Sequence, residues 1–215
     1  MYAYEYDPTT GGILLKAGYS EGKISKEPRL VYAKELDMLG FNKYWKYSNQ
    51  EEVPYMWAEA NYYYYRGKKV ASLKGGNLFE APQIVIEKDE NGESFGTEEN
   101  RAILKKIDIA RMIEKNRVLL QRLETTTVKK IKEVFEKYQK KADCVHVAFS
   151  GGKDSIVLLH LIKQTLPEKS YIVCFADTGM EFPDTYKLIE STEESCKREN
   201  IQFFTSRAKF TPEDS

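Results

Sequence analysis

The sequence predicts an α/β protein whose last third is a parallel, doubly wound sheet. A small α+β domain and a helical segment are expected before it. Three observations predict this architecture. Apolar strand-like runs alternate with helical stripes over residues 142–215. Charged and apolar residues recur at spacings of three and four over 97–141. Short aromatic and β-branched runs, punctuated by turn residues, fill 1–96.

In the first part, Tyr2, Tyr4 and Tyr6 alternate with Ala3 and Glu5, the period of a strand. Asp7-Pro8-Thr9-Thr10-Gly11-Gly12 reads as a turn into a second strand, Ile13-Leu14-Leu15. Residues 30–40 hold a short helix stopped by Gly40. Residues 61–66 and 68–73 read as a hairpin turning at Gly67, and 83–87 as a strand before the turn Asn91-Gly92. In the middle part, Leu120, Leu123, Ile131, Phe135 and Tyr138 form one stripe. Thr125-Thr126-Thr127 is its weakest point, because β-branched residues lose rotamer freedom in a helix. No heptad is sustained, so packing helices are expected and not a coiled coil.

The last part begins with a strand at 144–149. A helix over 154–164 follows, with Val157, Leu158, Leu161 and Ile162 on its apolar side. A strand at 171–176, a helix from Pro183 to about Arg198 and a strand at 201–205 complete the order β-α-β-α-β. That order means parallel strands with right-handed crossovers, one half of a doubly wound sheet. A three-stranded parallel sheet leaves an exposed edge, so the sheet is expected to be incomplete at the C-terminus. A further stretch of chain, or another chain, would complete it.

Lys and Arg number 33 and Asp and Glu 33, so the net charge is zero. This argues against a chain-wide grip on nucleic acid. No apolar run reaches the length of a membrane span, and no secretory leader is evident. Cys144, Cys174 and Cys196 form no CxxC pair, and the histidines are His146 and His160. No zinc or iron–sulfur site is expected in this stretch. Cys144 and Cys174 read as small buried hydrophobes, in keeping with a reducing cytoplasm.

The chemistry concentrates in VAFSGGKDSIVLLH, residues 147–160. Ser150, Gly151, Gly152, Lys153, Asp154 and Ser155 stand between a strand and a helix, where ligands bind in such sheets. Glycines let backbone amides approach a ligand. The helix start offers free N–H groups and the positive end of its dipole. Lys153 adds a charge, and Ser150 and Ser155 add hydroxyl donors. This set favours an anion, a phosphate above all. Asp154 is expected to cap the helix amides, and it is also a candidate ligand for magnesium bridging to phosphate. Lys153 and Asp154 are the candidate catalytic residues.

The motif is neither GxxxxGK[ST] nor GxGxxG. The six residues in their strand–loop–helix setting resemble the PP-loop of the ATP pyrophosphatase superfamily. The resemblance implies an adenine nucleotide alpha hydrolase-like sheet that binds ATP or a related nucleotide and works at its phosphates, releasing AMP and pyrophosphate. FADTGMEFPDTY, residues 175–186, is similar to the DTG…PETY segment of the phosphoadenosine phosphosulfate reductase branch. By that resemblance Asp177, Thr178 and Gly179 line the site. A carboxylate there could accept from a ribose hydroxyl or assist a metal, and it could equally cap the following helix. The resemblance covers about 143–215, and a weaker one joins DPTTGGILL and KGGNLFE to the N-terminal region of some reductase-like proteins.

Sulfonucleotide reductases of this branch use a cysteine near their C-terminus, and Cys144, Cys174 and Cys196 do not stand in that context. Ser206-Arg207-Ala208-Lys209 could bring positive charge to the same edge, or form an exposed basic loop. Tyr62, Tyr63, Tyr64 and Tyr65 beside Arg66, Lys68 and Lys69 would suit single-stranded nucleic acid, or equally a hairpin with alternate tyrosines in the core. The leading expectation is an enzyme acting on ATP or phosphoadenosine phosphosulfate. The alternatives are a nucleotide-binding assembly module that docks a protein or nucleic-acid partner, and a fragment with an inactive site.

Overall fold

The structure, a computed structural model, describes residues 2–19, 28–50, 52–76 and 80–207. Ala208 and Lys209, the residues after them, and Asn77, Leu78 and Phe79 of KGGNLFE lie outside the described residues. The chain divides into two compact units, residues 1–120 and 121–215.

The first unit opens with β1 (Tyr2–Tyr6) and β2 (Ile13–Tyr19), an antiparallel pair. Next come β3 (Arg29–Tyr32), α1 (Ala33–Met38), β4 (Trp45–Lys46), β5 (Pro54–Glu59), β6 (Tyr62–Tyr65), β7 (Lys68–Lys74) and β8 (Gln83–Ile86). A five-stranded antiparallel sheet has the order β3-β5-β6-β7-β8. The hairpin at Gly67 forms as expected. Arg66 and Gly67 have φ of 48° and 88°, the paired left-handed angles that match strand twist. The core gathers Val31, Leu36, Phe41, Trp45, Met56 and Tyr63.

Alternation sorts the tyrosine run. Tyr63 and Tyr65 are buried in the core. Tyr64 stacks on Tyr6, and Lys69 lies over Tyr62. These rings are engaged within the unit, which gives the nucleic-acid reading no support.

Residues 97–108 are not helical, contrary to the expected start at Thr97. They contain β9 (Ala102–Ile103), parallel to β4, and Leu104 donates its N–H to Lys46. Leu104 and Ile107 are buried from an extended segment, so their spacing of three mimicked a helical stripe. The helix α2 runs Ile109–Tyr138, and the Asp108 carboxylate accepts the Arg111 N–H at its start. It passes unbroken through the three threonines. Their hydroxyls bond back to the carbonyls of Gln121, Arg122 and Leu123, each at 2.8 Å.

The second unit contains β10 (His146–Ala148), α3 (Lys153–Thr165), β11 (Ile172–Asp177), α4 (Pro183–Arg198) and β12 (Gln202–Arg207). The strands are parallel in the order β10-β11-β12. Val147, Phe149, Val173 and Phe175 pack with Leu159 and Ile162 of α3 and Ile189 and Cys196 of α4. Both helices therefore cover one face, as two successive crossovers in one direction require. The alternate positions His146, Ala148, Ala176 and Phe204 are exposed. A second helical layer, which a doubly wound sheet needs, is not among the described residues.

Two sequence expectations shift here. Val157 and Leu158 are exposed, and the buried face of α3 runs through Leu159, Leu161 and Ile162. Cys144 is exposed because β10 starts two residues later, at His146. Cys174 is half-buried, since it shares the side of β11 opposite Val173 and Phe175, and Cys196 is buried.

The expected turn after β1 is organised by Asp7. Its carboxylate, 4% exposed, accepts from the Thr9 N–H and the hydroxyls of Thr9 and Thr10, and pairs with Lys115 of α2 at 2.5 Å. Burial alone would raise its proton affinity, but these donors together hold it well below the usual carboxylate range. A depressed folded pKa stabilises above the unfolded value, near 4, and this contribution fades as pH falls below it. Asp7→Ala is predicted to cost about 2 kcal/mol, because several charge-assisted bonds are lost and Lys115 loses its ion-pair partner. Urea denaturation should show a large difference at neutral pH and a smaller one in acid.

Candidate functional site

The site is built where β10 ends. Phe149 donates its N–H to Cys174 at 2.8 Å, so the chain stays registered on β11 until it turns. Gly151 has φ of +75°, a left-handed angle that a side chain disfavours. A β-carbon on it would stand 3.3 Å from Thr185 Cγ2 and 3.5 Å from Ile189 Cδ1. The loop thus fits closely against the first turns of α4, and the two loops named in the sequence are brought side by side.

Gly152 occupies the N-cap of α3 and brings no side chain to the first-turn amides. Ser155 closes the loop. Its hydroxyl donates to the Gly152 carbonyl at 2.9 Å and accepts from the Ser150 N–H at 3.3 Å. Ser150 Oγ accepts from the Gly152 N–H at 3.4 Å. Asp154 does not cap the amides as expected. It lies inside the first helical turn, its carboxylate 3.2 Å from Lys153 Nζ, with side chains 91% and 75% exposed. Such an open pair contributes little to stability and exchanges readily for another partner.

At the end of β11 the arrangement is different. Asp177 is 9% exposed. Its Oδ1 accepts from the Tyr186 hydroxyl at 2.7 Å and from the Gly179 N–H at 2.9 Å. Its Oδ2 faces Arg207 Nε at 3.2 Å, across the β11–β12 register. Tyr186 first, then Gly179 and Arg207, hold this carboxyl below its ordinary range, and the carboxylate in turn raises the Tyr186 hydroxyl. Thr178 and Gly179 are exposed, and the Thr178 hydroxyl donates to Glu181 at 3.3 Å.

Asp177, Thr178 and Gly179 lie at the same edge of the sheet as the glycine loop, and sequence reasoning missed Tyr186 as a partner of Asp177. The signal was the PDTY step itself, which puts a tyrosine in the first turn of α4 and so within reach of the strand end. Of the basic residues considered, Arg207 reaches the edge. Among the described residues no group of three or more His, Cys, Asp or Glu side chains gathers as a metal site.

Comparison with known proteins finds a match over this part of the chain. The family model of the phosphoadenosine phosphosulfate reductase domain matches residues 144–214. That segment is similar to this family, which is the reductase-like branch of the PP-loop ATP pyrophosphatase superfamily. The chain is 42% identical over 82 residues to the uncharacterized protein MJ0066 of Methanocaldococcus jannaschii, covering 38% of this chain and 16% of that protein. It is 33% identical over 78 residues to the uncharacterized protein MJ0973 of the same organism, covering 36% and 18%. The chain therefore spans less than a fifth of either relative. No solved structure matches. Within the reductase-like domain the glycine loop, the DTG segment and Arg207 all lie inside the matched residues.

The loop angle gives the reductase-like domain a direct test. Gly151→Ala is predicted to cost about 1–2 kcal/mol from the left-handed angle alone, with crowding against Thr185 added. The change should appear as a lower thermal midpoint, while the same substitution at Gly152, whose φ is −75°, should cost less.

Proposed function

We propose that residues 144–214 bind an adenine nucleotide, with its phosphates on the loop 150–155, and form the core of an enzyme that acts on ATP or phosphoadenosine phosphosulfate. The observation that carries this reading is the loop itself. A left-handed glycine, an N-cap without a side chain, two serines and an exposed lysine converge at the carboxyl end of a parallel strand. The family match over 144–214 supports it.

In this reading the first-turn amides of α3 and Lys153 neutralise phosphate charge, and Ser150 and Ser155 exchange their bonds within the loop for bonds to phosphate oxygen. Thr178 and Gly179 frame the nucleotide. Asp154, already open to solvent, would hold magnesium together with phosphate oxygens and water. Magnesium would supply charge neutralisation across those oxygens. Catalysis then comes from positioning and electrostatic stabilisation, with Lys153 and Asp154 as the groups nearest the reacting phosphates. The attacking group comes from a second substrate or from a further stretch of chain. Cys196 is buried with its thiol pushed up by desolvation, and Cys144 and Cys174 precede the carboxyl edge, so none is placed to attack there.

We infer further that the sheet is one half of a doubly wound sheet, whose exposed face at Ala148, Ala176 and Phe204 takes a second layer. That same face favours a second reading, an assembly module that docks a partner. The two readings part on Lys153, since docking does not need its charge.

The test is titration with ATP plus magnesium and, separately, with phosphoadenosine phosphosulfate, followed by product chromatography. Lys153→Ala is predicted to weaken binding at least about tenfold, the scale of one lost charge-assisted bond. AMP and pyrophosphate would identify an adenylating enzyme. Binding of neither nucleotide to the wild type would overturn the proposal.

A further inference from the structure

The charge of this chain is zero overall but unevenly spread. Residues 121–141 carry seven Lys or Arg and three Glu, a net charge of +4. Residues 121–138 are the part of α2 that lies in the second unit. Lys140 and Lys141 follow on the turn that closes the helix, where the Lys141 N–H donates to the Tyr138 carbonyl.

The helix sorts these residues by face. Val128, Ile131 and Phe135 are half-buried, and Ile131 packs on the core of the unit. At about 100° per residue, Lys129, Lys130 and Lys137 fall on the opposite side, and Arg122 lies in line with Lys129. Arg122 and Lys129 are seven residues apart, as are Lys130 and Lys137, a rise of about 10.5 Å each. All four are exposed. Glu133 shares this face, but it meets Lys129 only at 4.0 Å, with side chains 79% and 55% exposed. So open a pair leaves both charges largely to solvent. Lys137 stands 5.1 Å over the Tyr138 ring, which is 47% exposed, and Val134 one turn earlier is 46% exposed.

A helix face that is merely solvated alternates its signs and laces them into ion pairs. Here cations outnumber anions on one face and run beside an open ring. That combination fits a strand whose phosphates follow the cations while a base stacks on the tyrosine. It fits a membrane surface less well. A helix lying on a membrane inserts its apolar face, and Ile131 commits that face to the protein core.

We propose that α2 from Arg122 onward, with Lys140 and Lys141, is a docking surface for single-stranded nucleic acid. Arg122, Lys129, Lys130 and Lys137 contact successive phosphates, and Tyr138 stacks on a base. The proposal uses none of the residues of the glycine loop, and it stands or falls apart from the nucleotide reading. It is also distinct from the tyrosine hairpin at Gly67, whose rings are engaged within the first unit.

The experiment is fluorescence anisotropy with a labelled oligonucleotide of about 20 residues, as RNA and as DNA, from about 50 to about 200 mM salt. The wild type should bind at least one of them with a dissociation constant of about 100 μM or tighter at low salt, and weaken as salt rises. The triple variant Lys129→Gln/Lys130→Gln/Lys137→Gln should weaken binding about tenfold or more at low salt. Its log–log salt slope should be flatter by about two, at about 0.7 per lost phosphate contact on a single strand. Tyr138→Ala should weaken binding about fivefold or more with the slope unchanged. Lys68→Gln/Lys69→Gln on the hairpin should change neither. Glutamine keeps helix propensity close to that of lysine, and melting of each variant confirms that it is folded.

No binding to either oligonucleotide at low salt overturns the proposal, as does a triple variant with unchanged affinity and slope. An equal loss in the hairpin variant moves the contact to the hairpin and overturns it too. An unaffected Tyr138→Ala removes the stacking, and with it the claim to single strands. Phosphatidylcholine vesicles containing phosphatidylserine are run in parallel. If the wild type sediments with them, the triple variant does not, and the oligonucleotides stay free, the partner is a membrane and the proposal falls.

Discussion

The carboxyl edge of the reductase-like domain depends on one carboxylate. Asp177 ends the central strand, and from there it fixes the Gly179 backbone, the first turn of α4 through Tyr186, and the end of β12 through Arg207. β12 is already paired with β11 along the backbone, and these side-chain bonds fix how the loop and the first turn of α4 leave that edge. The arrangement works because Asp177 stays charged. Its donors favour the ionised form, so the hydrogen bonds and the depressed proton affinity are two expressions of one interaction. A neutral acid at this position would keep the shape of the strand and lose the pull on Arg207.

The glycine loop is constrained from the other side. Gly151 lies against Thr185 and Ile189 with a left-handed angle, where a β-carbon would be disfavoured by that angle and tight against Thr185. That contact locks the start of α3 to the start of α4, while β10 and β11 are locked by their register. The helix start and the DTG segment are therefore presented side by side before any ligand arrives. Preorganisation of this kind lets a backbone cradle act without reorganising its dipoles.

Much of this was legible in the residues. The motifs at 150–155 and 177–179 lie on strand ends because the apolar runs before them are short, continuous and bounded, which is how buried parallel strands read. Pro183 marked the start of α4 to the residue, since its fixed φ and missing N–H suit a first helical position. Other features needed the third dimension. Leu104 and Ile107 have helical spacing yet lie in extended chain, and nothing local separates the two states. The strand β3 hid because Arg29–Tyr32 is only four residues long and runs directly into α1. The faces of α3 were misjudged because it carries apolar residues on both sides, so periodicity could not say which side met the sheet. The PDTY step put Tyr186 in the first turn of α4, but its bond to Asp177 also depends on how α4 departs from its loop.

The charges at the edge are sorted by exposure. Asp177 is buried and shapes the site, whereas Lys153, Asp154 and Arg207 face solvent. Lys153 pairs with Asp154 and Arg207 with Asp177, so these four formal charges sum to zero. These two pairs add no net charge to draw a polyanion from long range, so their part in affinity comes from exchange at contact. The Lys153–Asp154 pair is wholly at the surface, where such pairs are worth at most about 1 kcal/mol. A phosphate with backbone amides also available to it can therefore displace Asp154 at small cost. The displaced carboxylate then stands beside the phosphate, and that juxtaposition is unfavourable until a cation intervenes. In the proposed reading, Asp154 would then call for a divalent ion between its carboxylate and the phosphate.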